Sequence, residues 1–233
     1  MRHLALSALI ALLFFSCRQT TVRLENYAVH GLDVSHYQSH IDWPLVAAQD
    51  IDFTFIKATE GYTMEDTLYC SNWLALRETG ITRGAYHFFR PTLDAHVQAQ
   101  NFISSVILEP GDLPPVLDAE VLDGVTPEVL RRQLHRWIDV VRAHYQVDPI
   151  LYTNLNFYND HLAGYFPDQP LWLARYHQDG PRASDDRDWH FWQYGNRGRI
   201  DGIDGDVDFN VFYGSYDQLL DLTIAPPVVL SMD

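Results

Sequence analysis

The chain alternates strand-like and helix-like segments five times and then continues with strand-like segments alone. The early strand-like runs are short and apolar, and a segment with helical periodicity follows each of them. The connections between the last three lack a helical period and are rich in Gly, Asp and Arg. The predicted strands are 29–34, 53–61, 83–90, 113–120, 150–154, 171–176, 189–194 and 207–212, and the predicted helices are 42–49, 67–79, 95–107, 126–145 and 155–162.

This order predicts the fold class. Alternating strands and helices are typical of α/β proteins, and eight strands can close a barrel with the helices outside it. We therefore expect a modified TIM-like barrel of five β/α units followed by three strands, with an incomplete helix ring. The 233 residues, 47% of them hydrophobic, are enough for one such domain.

The charge of the chain excludes some classes of partner. The formal net charge of −15 argues against nucleic-acid binding and against adhesion to anionic surfaces by charge alone.

The amino terminus has the layout of an export signal. Basic residues precede an apolar run that is too short to span a membrane, and Ser16-Cys17 follows as in a bacterial lipobox. We expect residues 1–17 to be a signal with Cys17 as the lipid-modified residue, which predicts an exported bacterial protein anchored to a membrane; plain secretion is the alternative. The expected domains continue with a tether at 18–28, a barrel at 29–220 and a carboxyl-terminal extension at 221–233.

The fourth predicted strand ends in two carboxylates separated by one alanine. In a strand, Asp118 and Glu120 share a face. Two carboxyls held that close repel each other as anions, so one pKa is expected to rise and the other to fall, which suits acid catalysis of glycoside hydrolysis. An acidic pair on a solvated loop is the alternative.

Polar residues also end the other predicted strands. In an α/β barrel the carboxyl ends of the strands gather at one face, where active sites lie. The residues at these ends are Asp33, Lys57 to Glu60, His87, Arg90, Asp118, Glu120, Tyr152 to Asn154, Arg175, Tyr176, Gln193, Tyr194 and Asp208. This convergence favours a functional site over a solvated acidic loop.

Eight sequence blocks carry a resemblance to a known family. The blocks are GLDVSHYQ, FIKATEG, RGAYHFF, VLDAE, ILYTN, LWLARY, FWQY and VDFN, in this order from about His30 to Phe212. They resemble the glycoside hydrolase family 25 lysozymes, the N-acetylmuramidases also called Chalaropsis-type lysozymes. The resemblance implies hydrolysis, with retention, of the β-1,4 bond from N-acetylmuramic acid to N-acetylglucosamine in peptidoglycan, without a cofactor.

The resemblance also implies roles for residues. By position, Glu120 is the general acid and then the base, Asp118 is its partner, and Asp33 and Asp208 complete an acidic ring. The residues that match positions of the saccharide groove are Lys57, Tyr86, Tyr152 and Trp192.

Several alternatives stay open from the sequence. The anomeric carbon could be attacked by a carboxylate or by the substrate's own acetamide, which the D-x-E spacing favours. A catalytically silent barrel that binds wall glycans, a related endo-hexosaminidase and a metal-dependent hydrolase are the rival functions.

Two patterns hint at metal ions. His36 and His40 are four residues apart, but on a loop that leads into Pro44, which disfavours a zinc pair. Asp204, Asp206 and Asp208 alternate as in a calcium loop, but Ser215 stands where a bidentate glutamate is needed. We therefore expect no metal ion. If the register of the last strand is shifted by two residues, Asp206 takes the place of Asp208 in the acidic ring.

Overall fold

The structure is a computed structural model that describes residues 20–226. Cys17, the expected signal and residues 227–233 lie outside the described residues. The strands are β1 Val29–Val34, β2 Phe53–Glu60, β3 Met64–Glu65, β4 Thr82–Phe88, β5 Val116–Asp118, β6 Ile150–Asn154, β7 Leu171–Ala174, β8 Phe191–Gly198 and β9 Val207–Phe212. The helices are α1 Trp43–Ala47, α2 Tyr69–Ala75, α3 Ala95–Ser105, α4 Pro127–Tyr145, α5 Leu155–Phe157 and α6 Tyr216–Asp221.

Eight of the strands close a barrel, which confirms the expected fold class. The strands β1, β2, β4, β5, β6, β7 and β8 are parallel neighbours in this order, and β9 closes the circle by antiparallel pairing with both β8 and β1. The ninth strand, β3, is a two-residue addition that pairs with the end of β2. Parallel strands place their carboxyl ends at one face, and the polar strand ends therefore meet there.

Aromatic side chains fill the inside of the barrel. Phe53, Phe55, Trp172 and Phe191 are buried there, with ring centroids of neighbouring pairs 4.4 to 5.7 Å apart. Glycines on adjacent strands make room for the rings, since a Cβ at Gly31 would lie 2.4 Å from the ring of Phe53. The interior is a packed core and not a channel, so a substrate can bind only at an end of the barrel, such as the face where the carboxyl ends of the strands meet.

The helices α1 to α4 cover the outside of the barrel. The side chain of Thr126 caps the first turn of helix α4, which has Pro127 at its first position; one apolar stripe of the helix is buried. The residues of this stripe are Leu130, Leu134, Trp137, Ile138 and Val141. Helical periodicity in the sequence predicted this face of the helix.

Helix α6 was not predicted from the sequence. It follows β9 at the end of the barrel opposite the polar strand ends, and its Leu219 is buried in the interior cluster. The helix therefore closes the end of the barrel that is opposite the cleft-forming strand ends. It is only six residues long and has few apolar positions, so the sequence shows no helical period there.

The described part of the expected tether packs on the barrel. The amide of Thr21 donates a hydrogen bond to the carbonyl oxygen of Arg197 at 2.9 Å. The guanidinium of Arg23 donates to two carbonyl oxygens after α1, and the ring of Tyr27 lies 5.9 Å from that of Trp192. Residues 20–28 are thus part of the packed unit in this structure.

Candidate active site

A cleft of about 270 Å³ opens at the carboxyl ends of the barrel strands. It contains all four acids singled out in the sequence, and three of the four expected groove residues line it. The lining side chains include Asp33, Tyr37, Lys57, Tyr86, Phe88, Asp118, Glu120, Tyr152, Trp172, Tyr176, Gln193 and Asp208.

Asp118 and Glu120 lie at and just beyond the end of β5. The backbone around them is fixed by two hydrogen bonds, from Phe89 to the carbonyl oxygen of Asp118 and from Ala119 to that of Tyr152, each 2.9 Å long. Strand pairing ends at Asp118, two residues earlier than the sequence predicted. Both carboxyls nevertheless reach the same cleft, as the alternation of side chains required.

The pKa of both carboxyls is raised. Burial is the main cause for each of them, and the neighbouring charges of Glu120 on Asp118 and of Asp33 on Glu120 add to it. The expectation that one pKa of the pair falls is not met, because desolvation disfavours the anion at both positions. The positive charge of Lys57 lowers the pKa of both acids and so partly offsets these effects.

Asp33 and Asp208 form a second pair, on the antiparallel strands β1 and β9. They stand opposite each other in the strand register and share a hydrogen bond. Burial raises the pKa of both, and the charge of Asp33 together with their mutual hydrogen bond raises that of Asp208 further. Their mutual hydrogen bond lowers the pKa of Asp33 and raises that of Asp208, so the two carboxyls titrate as a pair.

Side-chain amides hold Asp33 in place. Its Oδ2 accepts hydrogen bonds from Asn210 Nδ2 at 2.7 Å and from Gln193 Nε2 at 2.9 Å. The indole of Trp172 donates to Asn210 Oδ1, and the hydroxyl of Tyr152 donates to Gln193 Oε1, both at 2.9 Å. These donors fix which end of each amide faces Asp33, so the carboxylate oxygen receives two N–H groups.

This arrangement suits general acid catalysis on an acetal. Glu120 is the more solvent-accessible member of the Asp118–Glu120 pair, and its raised pKa favours the protonated form that a general acid requires. The hydrogen bonds that Asp33 accepts favour its anionic form, which can supply negative charge for a positively charged transition state.

Comparison with known proteins is consistent with this chemistry. The family model described as "Glycosyl hydrolases family 25" matches residues 32–203.

The chain belongs to glycosyl hydrolase family 25.

Several relatives place it within this family. The uncharacterized protein YegX of Escherichia coli is 43% identical, and the match covers 83% of this chain and 73% of YegX. Lysozyme M1 of Streptomyces globisporus is 35% identical, over 83% of this chain and 71% of that protein. Among solved structures, a family 25 glycosyl hydrolase from Bacillus anthracis has a TM-score of 0.83 and 33% identity, with 89% of this chain and 99% of that chain covered.

Family 25 membership makes the protein a glycosidase of the lysozyme type. The solved bacterial lysozyme from Streptomyces coelicolor has a TM-score of 0.81 and 33% identity, and covers 85% of this chain and 98% of that one. The resemblance noted in the sequence is therefore confirmed.

One of the expected groove residues of this family 25 enzyme lies elsewhere. Trp192 is fully buried outside the barrel, where its indole donates to the carbonyl oxygen of Arg175 at 2.8 Å. Its neighbour Gln193 faces the cleft, and alternate residues of a strand point to opposite faces. The tryptophan that lines the cleft is Trp172, on β7.

Four residues at the site were not singled out for a role by sequence reasoning. Trp172, Gln193 and Asn210 form the network around Asp33, and Tyr176 donates to Gln193 Oε1 at 3.2 Å. Asn210 follows Asp208 by two positions and therefore shares its face, which is a pattern that the sequence contains. The remaining links depend on contacts between strands that are distant in the sequence.

The two candidate metal patterns do not converge in the structure. Within residues 20–226, no three His, Cys, Asp or Glu side chains are arranged to hold a metal ion. Asp206 forms an ion pair with Arg199 at 2.8 Å, whereas Asp208 faces the cleft, so the register is the expected one. His36 binds Asp66 through Nδ1 at 2.6 Å, and His40 is exposed.

A larger groove of about 840 Å³ lies next to the cleft. It runs between residues 20–24 and residues 194–197, and it shares Tyr176 with the cleft. Asp179 is the one acid among the described residues that line it, so it lacks the paired carboxyls of the cleft. No helix within the described part of the chain has the length and apolar character of a membrane span.

Proposed function

We propose that the protein is a muramidase that cleaves the β-1,4 bond between N-acetylmuramic acid and N-acetylglucosamine in peptidoglycan, with retention. The observation that supports this most directly is the convergence of four carboxyls, two buried and two half-buried, in one cleft of a family 25 barrel. The names of relatives point the same way, since Lysozyme M1 and a Chalaropsis N,O-diacetylmuramidase are both similar to this chain.

In the first step, Glu120 donates its proton to the glycosidic oxygen while the bond from that oxygen to the anomeric carbon breaks. The acetamide oxygen of the N-acetylmuramic acid attacks the same carbon from the opposite side and forms a cyclic oxazolinium ion. In the second step, the Glu120 carboxylate takes a proton from water as the water attacks and opens the ring. Two inversions give retention.

The hydrogen bonding of the acids favours the acetamide as nucleophile. Asp33 is occupied by two amide donors and by Asp208. Asp118 Oδ1 is buried and accepts no hydrogen bond from any described residue. A buried acceptor without a partner is costly, and the N–H of the substrate acetamide can fill this position and be oriented by it.

Reducing-end analysis tests the proposal. Purified peptidoglycan is digested with the wild type and with Glu120→Gln, and we expect new N-acetylmuramic acid ends from the wild type and a loss of about 10²-fold or more in the variant. Asp204→Asn, an exposed acid near β9, is the matched control and should keep wild-type activity.

Each other outcome selects a rival. New N-acetylglucosamine ends would identify an endo-hexosaminidase, and binding of glycan without cleavage would identify a silent barrel. Cleavage that survives Glu120→Gln would place the catalytic acid on another residue, and loss of activity with a chelator would indicate a metal-dependent hydrolase.

We also propose that the enzyme is exported and lipid-anchored through Cys17, with residues 1–17 as the signal and residues 18–28 leading into the barrel. The sequence pattern around Cys17 supports this proposal.

A further inference from the structure

A one-residue bulge shapes the end of β2. In the pairing with β4, Lys57 stands opposite Tyr86 and Thr59 opposite His87, so Ala58 is an extra residue in β2. In a regular strand, side chains three positions apart point to opposite faces. The bulge instead places Lys57 and Glu60 on the same face, where they can meet.

Glu60 binds a different cation with each of its carboxylate oxygens. Lys57 Nζ lies 2.7 Å from Oε2, while Arg90 donates from Nε at 2.9 Å and from Nη2 at 2.6 Å to Oε1. Both cations lie over the ring of Phe88, at 5.1 Å for Lys57 and 4.7 Å for Arg90. Burial alone would raise the pKa of Glu60, but the hydrogen bonds from the two cations hold it below its usual range.

This ion-pair group stands in line with the catalytic acids. Glu60, Phe88 and Asp118 are register partners across β2, β4 and β5, so their side chains share the face that forms the cleft. Lys57 is the one cation among the described residues that line the cleft. Its charge lowers the pKa of Asp118 and Glu120, whereas the charge of Glu60 raises that of Asp118.

We propose that Glu60 and Arg90 are positioning residues: Arg90 fixes Glu60, and Glu60 holds the ammonium of Lys57 at the wall of the cleft, so that Glu120 stays protonated for the reaction. The inference rests on the proposed function, because it assigns the three residues to the control of its acid. A free ammonium at this position would move toward the nearest carboxylates and favour their ionised form.

Other groups act on the same acids and stay constant in the test. The titratable side chains that line the cleft together with Asp118 and Glu120 are Asp33, Tyr37, Lys57, Tyr86, Tyr152, Tyr176 and Asp208.

The experiment compares Glu60→Gln and Arg90→Met with the wild type in two measurements. The first is the pH profile of kcat/KM on peptidoglycan fragments, and the second is carboxyl ¹³C NMR titration of the free enzyme. We expect Glu60→Gln to move the alkaline limb and the titration of Glu120 to lower pH by about half a unit or more, because Lys57 loses its counter-charge. Arg90→Met should move both in the same direction but by less, because Glu60 loses its anchor yet keeps its charge, while the direct effect of the lost cation is weak since Arg90 is partly exposed and screened.

Glu109→Gln is a matched control. Glu109 also bridges two cations, Arg77 at 2.5 Å and Arg83 at 2.9 Å, but near the opposite end of β4. The Glu109→Gln change should leave the pH profile and the titrations of Asp118 and Glu120 unchanged. Arg90→Lys, which keeps the charge but lacks the two-point contact, should restore most of the wild-type profile.

The outcomes separate this inference from the proposed function. Unchanged titrations in Glu60→Gln, or shifts equal to those of Glu109→Gln, would overturn the positioning role even if the wild type is an active muramidase. Shifts to lower pH in both variants would support it even if the wild type released no N-acetylmuramic acid ends, because the titration does not depend on turnover. Shifts of opposite sign would overturn it, because they would show an effect of charge alone.

Discussion

At the scale of single residues, the position of Asp33 depends on two side-chain amides. Gln193 and Asn210 each donate an N–H group to the same carboxylate oxygen, and each is oriented by a donor to its own carbonyl oxygen. Because all of these groups are buried, the loss of one member leaves another without a partner.

The first prediction concerns Asn210→Ala. This change removes a donor to Asp33 and the acceptor of the Trp172 indole, so we expect the free energy of unfolding to fall by about 1 to 3 kcal/mol. We also expect kcat to fall more than KM rises, because Asp33 is mispositioned. Urea denaturation and steady-state kinetics measure both effects, and Asn196→Ala, at an exposed position of β8, is the control. Equal stability of the two variants would contradict the prediction.

The second prediction concerns the pH dependence of stability. Because folding raises the pKa of Asp208 to about 9, this group binds more proton in the folded protein than in the unfolded chain above about pH 4, and its contribution to stability falls as the pH rises. Asp208→Asn removes this contribution, so between pH 5 and pH 8 the free energy of unfolding should decline less with pH in the variant than in the wild type. Denaturant titrations at several pH values test it, with Asp204→Asn as control, and a steeper decline in Asp208→Asn would be inconsistent with a buried shared proton.

At the scale of elements, the strands and the helices α1 to α4 could be predicted, because periodicity and capping residues are local signals. The bulge in β2 and the small strand β3 could not, since nothing in FIKATEG marks Ala58 as unpaired. The resemblance implied Trp192 as a groove residue, but Gln193 faces the cleft, and neighbouring residues of a strand point to opposite faces, so Trp192 lies on the other side of the strand.

The third prediction concerns the contact between β8 and the segment before β1. A Cβ at Gly195 would lie 2.3 Å from the side chain of Thr21. Gly195→Val should therefore detach residues 20–24 while the barrel stays folded, which faster amide hydrogen exchange at Thr21 would report. Asn196→Val, at the next, exposed position, should leave exchange unchanged, and unaltered protection in Gly195→Val would show that the segment adapts.

At the scale of the whole molecule, the sequence predicted the barrel and the gathering of its acids because parallel strands bring their carboxyl ends together. It did not predict the links between Asp33, Gln193 and Asn210, which join residues 160 or more positions apart. The net charge of −15 is also a property of the whole molecule. Such a charge gives no attraction to anionic cell walls, and the membrane anchor that we propose would compensate for this, since tethering raises local concentration.

The fourth prediction follows from that anchor. Cys17→Ser should abolish incorporation of labelled fatty acid and lower wall hydrolysis in cells, whereas the purified enzyme should hydrolyse soluble fragments at the wild-type rate. Cys70→Ser, which changes an exposed cysteine within the barrel domain, is the matched control. Equal losses on cells and on soluble fragments would argue against tethering as the cause.

The place of Trp172 gives the enzyme an intrinsic optical reporter. All six tryptophans lie within residues 20–226, and among them Trp172 alone lines the cleft, where it stacks on Phe55 with ring centroids 4.4 Å apart. Its indole also bonds to Asn210, which holds Asp33. We expect glycan binding to change the fluorescence emission of the wild type, and this change to disappear in Trp172→Phe but persist in Trp192→Phe. Occupancy of the cleft could then be followed in real time without a label.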